Sequence, residues 1–176
     1  MTVDKNASFS SERLSYRGIS RGDAGLIVSW RSDPENLACF FDTHPPTLES
    51  HLAWFEGYLG DPSRLDLMII DGEGRGIGTV TLSAIGGGSC EVGYLIGDRS
   101  ARGRGYASEA VRAACRYAFD VLGVERVDAR IKPGNAASER AAAGGGFVEH
   151  EHVWRLERPR PVPDEQREHG ADGPVA

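Results

Sequence analysis

The sequence predicts an α/β (α+β) fold: a mixed β-sheet of six to seven strands flanked by about four helices. Three observations lead there. Segments 65–70, 77–85 and one starting near Cys90 are apolar or alternating and are joined by short glycine-rich turns, the pattern of consecutive antiparallel strands. The alternating run Glu91–Ile96 leads through a two-glycine turn into a helical pattern from Ser108 to Leu122. A strand-like stretch, 126–131, then precedes an alanine-rich helical segment and Gly146-Phe147, where another strand starts. A meander followed by strand–helix–strand gives a sheet that is antiparallel in its first half.

Taken in order, residues 1–11 are rich in Ser, Thr and Asn and are expected to form a flexible leader. Leu14–Ile19 alternates as a first strand. Arg21–Trp30 sets Ala24, Ile27, Val28 and Trp30 at roughly helical spacing with Asp23 in the first turn, and Arg31-Ser32-Asp33-Pro34 should break that helix. The aromatic stretch Phe40–Pro46 ends in two prolines that enforce an extended turn. Thr47 reads as the N-cap of a helix that carries His51, Trp54 and Phe55 to Leu59. Asp71–Gly76 has the composition of a hairpin loop.

The central helix puts Ala107, Ala110, Val111, Ala114, Cys115, Ala118 and Leu122 on one stripe, opposite Arg112, Arg116 and Asp120. Small residues on that stripe allow close packing on a sheet. Gly123 is placed to end it. Asn135 is a good N-cap for the alanine-rich helix, which Gly144-Gly145-Gly146 stops. Val148–Leu156 is a possible sixth strand, and the charged, proline-rich stretch 159–176 is expected to be a disordered tail, leaving 12–158 as the folded domain.

Composition bounds the function. A chain of 176 residues suits one core, and 40% hydrophobic with 26% charged residues is ordinary for a soluble globular protein. The net charge of −6 argues against a nucleic-acid-binding surface as the main role. Cys39, Cys90 and Cys115 are odd in number and lack C-x-x-C spacing, so they form neither a disulfide framework nor a zinc site. His150 and His152 alternate with acidic residues on a strand and offer no third metal ligand. No signal-type apolar segment opens the chain and no run reaches the length of a membrane span. A cytoplasmic protein without metal, nucleic-acid or membrane partner is the expectation, as a monomer or homodimer.

The chemistry centres on Arg102-Gly103-Arg104-Gly105-Tyr106-Ala107. A strand, a glycine turn and a helix N-terminus bring unpaired N–H groups and the positive end of a helix dipole to one place, a seat for phosphate. The Lys-Ser/Thr pair of a Walker A loop is missing, and Ser108 stands where a dinucleotide fingerprint needs its third glycine. What fits is R-x-x-G-x-A, which resembles the pyrophosphate loop (Q/R-x-x-G-x-G/A) of the GNAT superfamily of N-acetyltransferases. With the strand before it, Asn135-x-x-Ser138 after it and Gly146-Phe147 beyond, the likeness covers about Leu14 to Val153 and is closest to the subgroup that acetylates ribosomal-protein N-termini and amino sugars.

The resemblance implies an acyl-CoA N-acyltransferase fold with a centrally splayed sheet, and acetyl-CoA as donor. It implies that main-chain groups from Gly103 to Ala107 take the pyrophosphate, aided by Arg102 or Arg104. Leu95 and Ile96 would pair with the pantetheine amides, and Asn135 would flank them. Family members usually have a seventh strand, for which little room remains here. Glu91 is the candidate general base, taking the amine proton through water; a strand-edge glutamate paired with a surface arginine fits the residue too, and Glu149 and Glu151 are rivals. Ser138 is the candidate acid for the departing thiolate, since the tyrosine that many relatives carry four residues on is Ala142 here; Ser138 would equally suit a helix start. Trp30, Phe41, His51 and Trp54 are candidates for the acceptor pocket or for core, and His44, beside prolines, should face solvent. The implied reaction is direct transfer of acetyl in a ternary complex to a primary amine of a small molecule, such as an amino sugar or an antibiotic-type intermediate. A protein N-terminal amine and a non-catalytic module that binds CoA thioesters are the alternatives.

Overall fold

The computed structural model describes residues 3–150 and 153–159. Among these, eight strands form one sheet in the order β1-β2-β3-β4-β5-β6-β8-β7. The strands are β1 (Ser8–Ser10), β2 (Ser15–Gly18), β3 (Leu65–Ile70), β4 (Gly76–Gly86), β5 (Ser89–Ile96), β6 (Arg126–Ala129), β7 (Val148–His150) and β8 (Val153–Glu157). The α-helices are α1 (Ala24–Ser32), α2 (Pro34–Leu37), α3 (Leu48–Leu59), α4 (Tyr106–Asp120) and α5 (Ala136–Gly144). All neighbouring strands run antiparallel except β5 and β6. The mixed α/β architecture is the one expected.

Alternation along the strands sorts the core into two layers. On β3, Leu65, Leu67 and Ile69 join the large cluster that includes Ala110, Val111, Ala114, Cys115 and Ala118 of α4. The intervening Met68 joins Ile27, Trp30, Phe55 and Tyr58 of α1 and α3 on the other face. β3 is therefore buried on both sides, which is why it is apolar at every position but Asp66. The alanine and cysteine stripe of α4 is buried as its spacing predicts.

Three expectations need correction. The polar leader is not free: Ser8–Ser10 pairs with Ser15–Arg17, and Val3 and Ala7 are buried. Phe9 supplies the reason, its ring stacked 4.8 Å from both Tyr16 and Tyr117, contacts worth about 0.5–1.5 kcal/mol each. Lys5 adds hydrogen bonds to the carbonyls of Asp61 and Arg64. α1 ends at Ser32, within the expected break, but a second helix starts at once, because the Asp33 carboxylate accepts from the N–H groups of Glu35 and Asn36 and caps α2 with Pro34 in its first turn. The expected single strand Val148–Leu156 is two, β7 and β8, and β8 pairs with β6 to complete the sheet. Of the expected tail, all but Pro159 lies outside the described residues.

The end of β5 is locked to α1 by a close approach. A Cβ built on Gly97 would overlap the indole ring of Trp30, which is itself buried. Gly97→Ala should cost about 1–3 kcal/mol by over-packing, read as a fall in the urea midpoint at unchanged slope.

Candidate functional site

β5 and β6 pair only from Ser89–Arg126 to Glu91–Asp128. Beyond that, β5 stays with β4 as far as Ile96 while β6 ends at Ala129. The wedge opens two clefts, one of about 600 Å³ on the α1–α3 side and one of about 490 Å³ between β5, the loop before α4 and α5. Val92–Leu95, Phe40, Phe41 and Arg130 border both. The two spaces therefore meet at the free edge of β5.

The second cleft holds the glycine loop. Gly103 and Gly105 take φ of +73° and +77°, left-handed values that turn the chain into α4. The N–H of Glu109 returns to the Gly105 carbonyl, whereas the N–H groups of Gly103 to Ser108 meet no acceptor among the described residues. Gly103 and Gly105 to Ser108 line the cleft, so unpaired donors and a helix N-terminus border it together, a geometry suited to phosphate. Arg104 is exposed with no ion-pair partner among the described residues. Arg102 is otherwise engaged. It donates to Glu35 at 2.9 Å, to Asn36 at 2.7 Å and to the Ile96 carbonyl at 3.3 Å, tying the loop to α2 and the end of β5. Of the two expected phosphate-facing arginines, Arg102 lines the cleft but is engaged by these partners, and Arg104 is unpaired among the described residues but lines neither cleft.

An unforeseen network supports the loop from behind. Buried Glu109 accepts from Ser11 Oγ, Arg13 N and Arg13 Nε, each at 2.7 Å. Arg13 in turn donates to the Arg104 carbonyl at 2.9 Å and lies over the Tyr106 ring. Burial opposes ionisation of Glu109, but these donors outweigh it and hold its carboxyl below the ordinary value. The signal was in the sequence: Glu109 lies at helical spacing between Tyr106 and Ala113, on the buried side.

Asn135 caps α5 by accepting from Ser138 N at 3.2 Å, and both line the second cleft with Leu95, Ile96, Tyr106 and Ala107. The Ser138 carbonyl accepts from Tyr94 Oη at 2.6 Å. Tyr94 was not foreseen, though the alternation of β5 puts it on the Val92 face. Burial pushes its phenol up to about 12, so it stays a donor. Next to Glu91, Cys90 points into the core, and burial likewise pushes its thiol up to about 12.

Glu91 lies on the opposite face of β5 and borders the first cleft, with Thr79, Thr81 and Ser83 of β4. It accepts from Arg130 Nε at 3.0 Å. His51 and Trp54 line the same cleft, and Phe41 lines both clefts. Burial, then the Arg31 charge, holds the His51 imidazole below its ordinary value, so the ring is neutral near pH 7. His44 is exposed and hydrogen-bonded to Asp42, as expected of a loop residue. Trp30 is corrected: it lines neither cleft and packs against Gly97, because its side of α1 faces the core. Glu149 is exposed on β7 and borders neither cleft; Glu151 lies outside the described residues. Asp66 was overlooked. It is buried at the first cleft, accepting from Arg64 and Thr81. Among the described residues no group of three His, Cys, Asp or Glu side chains is arranged for a metal, and no helix is long and apolar enough to cross a membrane.

Comparison with known proteins shows the family and the fold. The sequence model for the family described as acetyltransferase (GNAT) domain matches residues 13–148. A protein of Bacillus licheniformis named uncharacterized N-acetyltransferase p20 is 30% identical over 135 residues, 73% of this chain and 75% of the relative. The structure of spermidine N-acetyltransferase from Vibrio cholerae in complex with CoA and spermine superposes with a TM-score of 0.74 at 20% identity, covering 81% of this chain and 92% of the other. Aminoglycoside acetyltransferase AAC(6')-Ib, in complex with coenzyme A and kanamycin, superposes with a TM-score of 0.73 at 17% identity, covering 82% and 95%.

The Glu109 network generates a prediction with a definite sign. A carboxyl held low in the folded state contributes stability that is present above its unfolded value, near 4.5, and is lost as pH falls through the folded one. Glu109→Gln should cost about 1.5–3 kcal/mol at pH 7, and the gap from the parent should narrow in urea titrations below pH 4.5.

Proposed function

The chain belongs to the GNAT acetyltransferase family, and we propose that it moves an acetyl group from acetyl-CoA to the primary amine of a small-molecule acceptor, such as an amino sugar or an antibiotic-type intermediate. The observation that carries this reading is the meeting of two clefts at the unpaired edge of β5, one bordered by the unpaired N–H groups of the glycine loop and the other by Glu91. Donor and acceptor can then approach from opposite sides and react where the strand is open. Neighbours of the same fold in complex with CoA and spermine, and with CoA and kanamycin, support a donor and an amine acceptor bound together.

Each residue has a role in direct transfer. The Gly103–Ser108 amides hold the pyrophosphate, with Arg104 supplying charge. The open main chain at Leu95 and Ile96 receives the pantetheine amides as a strand would, with Asn135 beside them. A β5 amide at the wedge donates to the thioester oxygen as negative charge grows there. Glu91 takes the amine proton, directly or through one water, and Arg130 orients it. The Ser138 hydroxyl stands in the donor cleft as hydrogen-bond donor to the departing sulfur, with its backbone fixed by Tyr94 and Asn135. Acyl transfer through Cys90 has no support, since that thiol is buried and protonated; attack by the amine on the thioester itself is the economical course. Phe41, His51 and Trp54 shape the acceptor side.

Calorimetric titration with acetyl-CoA tests the donor half. The parent should bind, and Gly105→Glu should not, because a side chain is strained at φ +77° and a carboxylate there repels phosphate. A parent that fails to bind would sink the reading. Free-thiol release with an accepted amine tests the acceptor half: Glu91→Gln should lower kcat about 100-fold or more, with acetyl-CoA affinity retained. Unchanged turnover would remove Glu91 from the base role. A peptide with a free N-terminus in the same assay separates a small-molecule acceptor from a protein one.

A further inference from the structure

The acceptor-side cleft contains a cation, Arg31, that feels the Asp42 and Asp66 carboxylates at a distance but is hydrogen-bonded by neither. Arg64 is paired with Asp66 at 2.6 Å, and Arg130 with Glu91 at 3.0 Å. Asp42 is largely exposed and accepts from the backbone and ring of His44. Arg31, at the end of α1, has no such arrangement. No carboxylate, carbonyl or hydroxyl among the described residues accepts from its guanidinium, and its Nε is buried without a hydrogen-bond partner. One face of the guanidinium is covered by the Phe40 ring, 4.8 Å from the centroid, which leaves the in-plane donors as its unspent capacity.

A buried donor without an acceptor is costly, and native proteins satisfy nearly all of them. A guanidinium stays charged at any physiological pH, and its planar fork matches the two oxygens of a carboxylate or a phosphate. Resting on the acetyl-transfer reading, we propose that Arg31 seats an acidic oxyanion of the acceptor, so that the acceptor is a small amine which also carries a carboxylate or a phosphate. Its amine lies toward Glu91 at the open edge of β5, and its anion lies toward the end of α1. A cavity of about 600 Å³ admits a molecule the size of an amino acid or a sugar phosphate. The neutral His51 imidazole and the Thr79 hydroxyl are on hand for its remaining polar groups. A polycation such as a polyamine brings nothing to satisfy Arg31 and would be repelled by it.

The test uses matched amines that differ only in the anion: glucosamine against its phosphate ester, and leucinamide against leucine. Thiol release from acetyl-CoA gives kcat/KM, and calorimetric titration of the CoA-loaded full chain gives affinity. In at least one pair the anionic member should be preferred by about tenfold or more. Arg31→Gln should bring that preference toward unity and Arg31→Lys should keep part of it, with circular dichroism confirming that both variants are folded. The responding pair identifies the oxyanion as phosphate or carboxylate. If neither pair discriminates, if no anionic amine binds at millimolar concentration, or if Arg31→Gln leaves the preference intact, the inference is overturned. Failure of acetyl-CoA to bind is a separate result that removes the transferase reading. The same titrations on the unloaded chain then decide the Arg31 seat by the presence or absence of an Arg31-dependent preference for the anion.

Discussion

Backbone amides that lose their strand neighbour need another partner, and on β5 they lose it after Glu91. β6 is paired with β8 along its whole length, Arg126 to Ala129, and Arg155 of β8 donates to Asp128, the last residue of β6 that pairs with β5. β5 continues alone on that side, backed by β4. The wedge makes room for two clefts and supplies main-chain groups at their junction. It also gives the two faces of β5 different duties, since Val92 and Tyr94 look toward α4 and α5 while Glu91 and Gly93 look toward α1 and α3.

Around this opening the chain is held by arginines and a lysine that reach across long sequence separations. Arg99 pairs with Asp33, Arg102 with Glu35 and Asn36, and Lys132 donates to the carbonyls of Ala38 and Phe40. All three act on the segment that follows α1, which carries Phe40 and Phe41 to the boundary between the clefts. On the other side of the loop, Arg13 and Glu109 fix the start of α4. Most cations near the site therefore serve as fasteners, and this sets Arg104 and Arg31 apart. Arg104 is exposed beside the glycine loop, and Arg31 lines the acceptor space.

The periodic signals were the legible ones. Runs of period two located β3, β4 and β5 to within a residue or two, and the small-residue stripe of α4 and the caps Thr47 and Asn135 were read as they stand in the fold. These features are local, so propensity, capping and alternation fix them with no knowledge of the rest. Short elements escape the sequence where stability comes from distant partners: β1 is held by Phe9 between Tyr16 and Tyr117, and the single turn of α2 by Arg99 on Asp33 and Arg102 on Glu35 and Asn36. Trp30 was misjudged for the same reason, because only Gly97 reveals which way the ring points.

By itself, the sequence determined the mixed α/β class, the glycine loop at a helix N-terminus and the family likeness, since all three are written in contiguous residues with recognisable spacing. Tertiary structure decided what the charges do. It bound Arg102 to α2, buried Glu109 among Ser11 and Arg13, paired Glu91 with Arg130 and left Arg31 unanswered. An ion pair depends on where two remote backbones bring their side chains, and one chain read end to end carries no record of that distance.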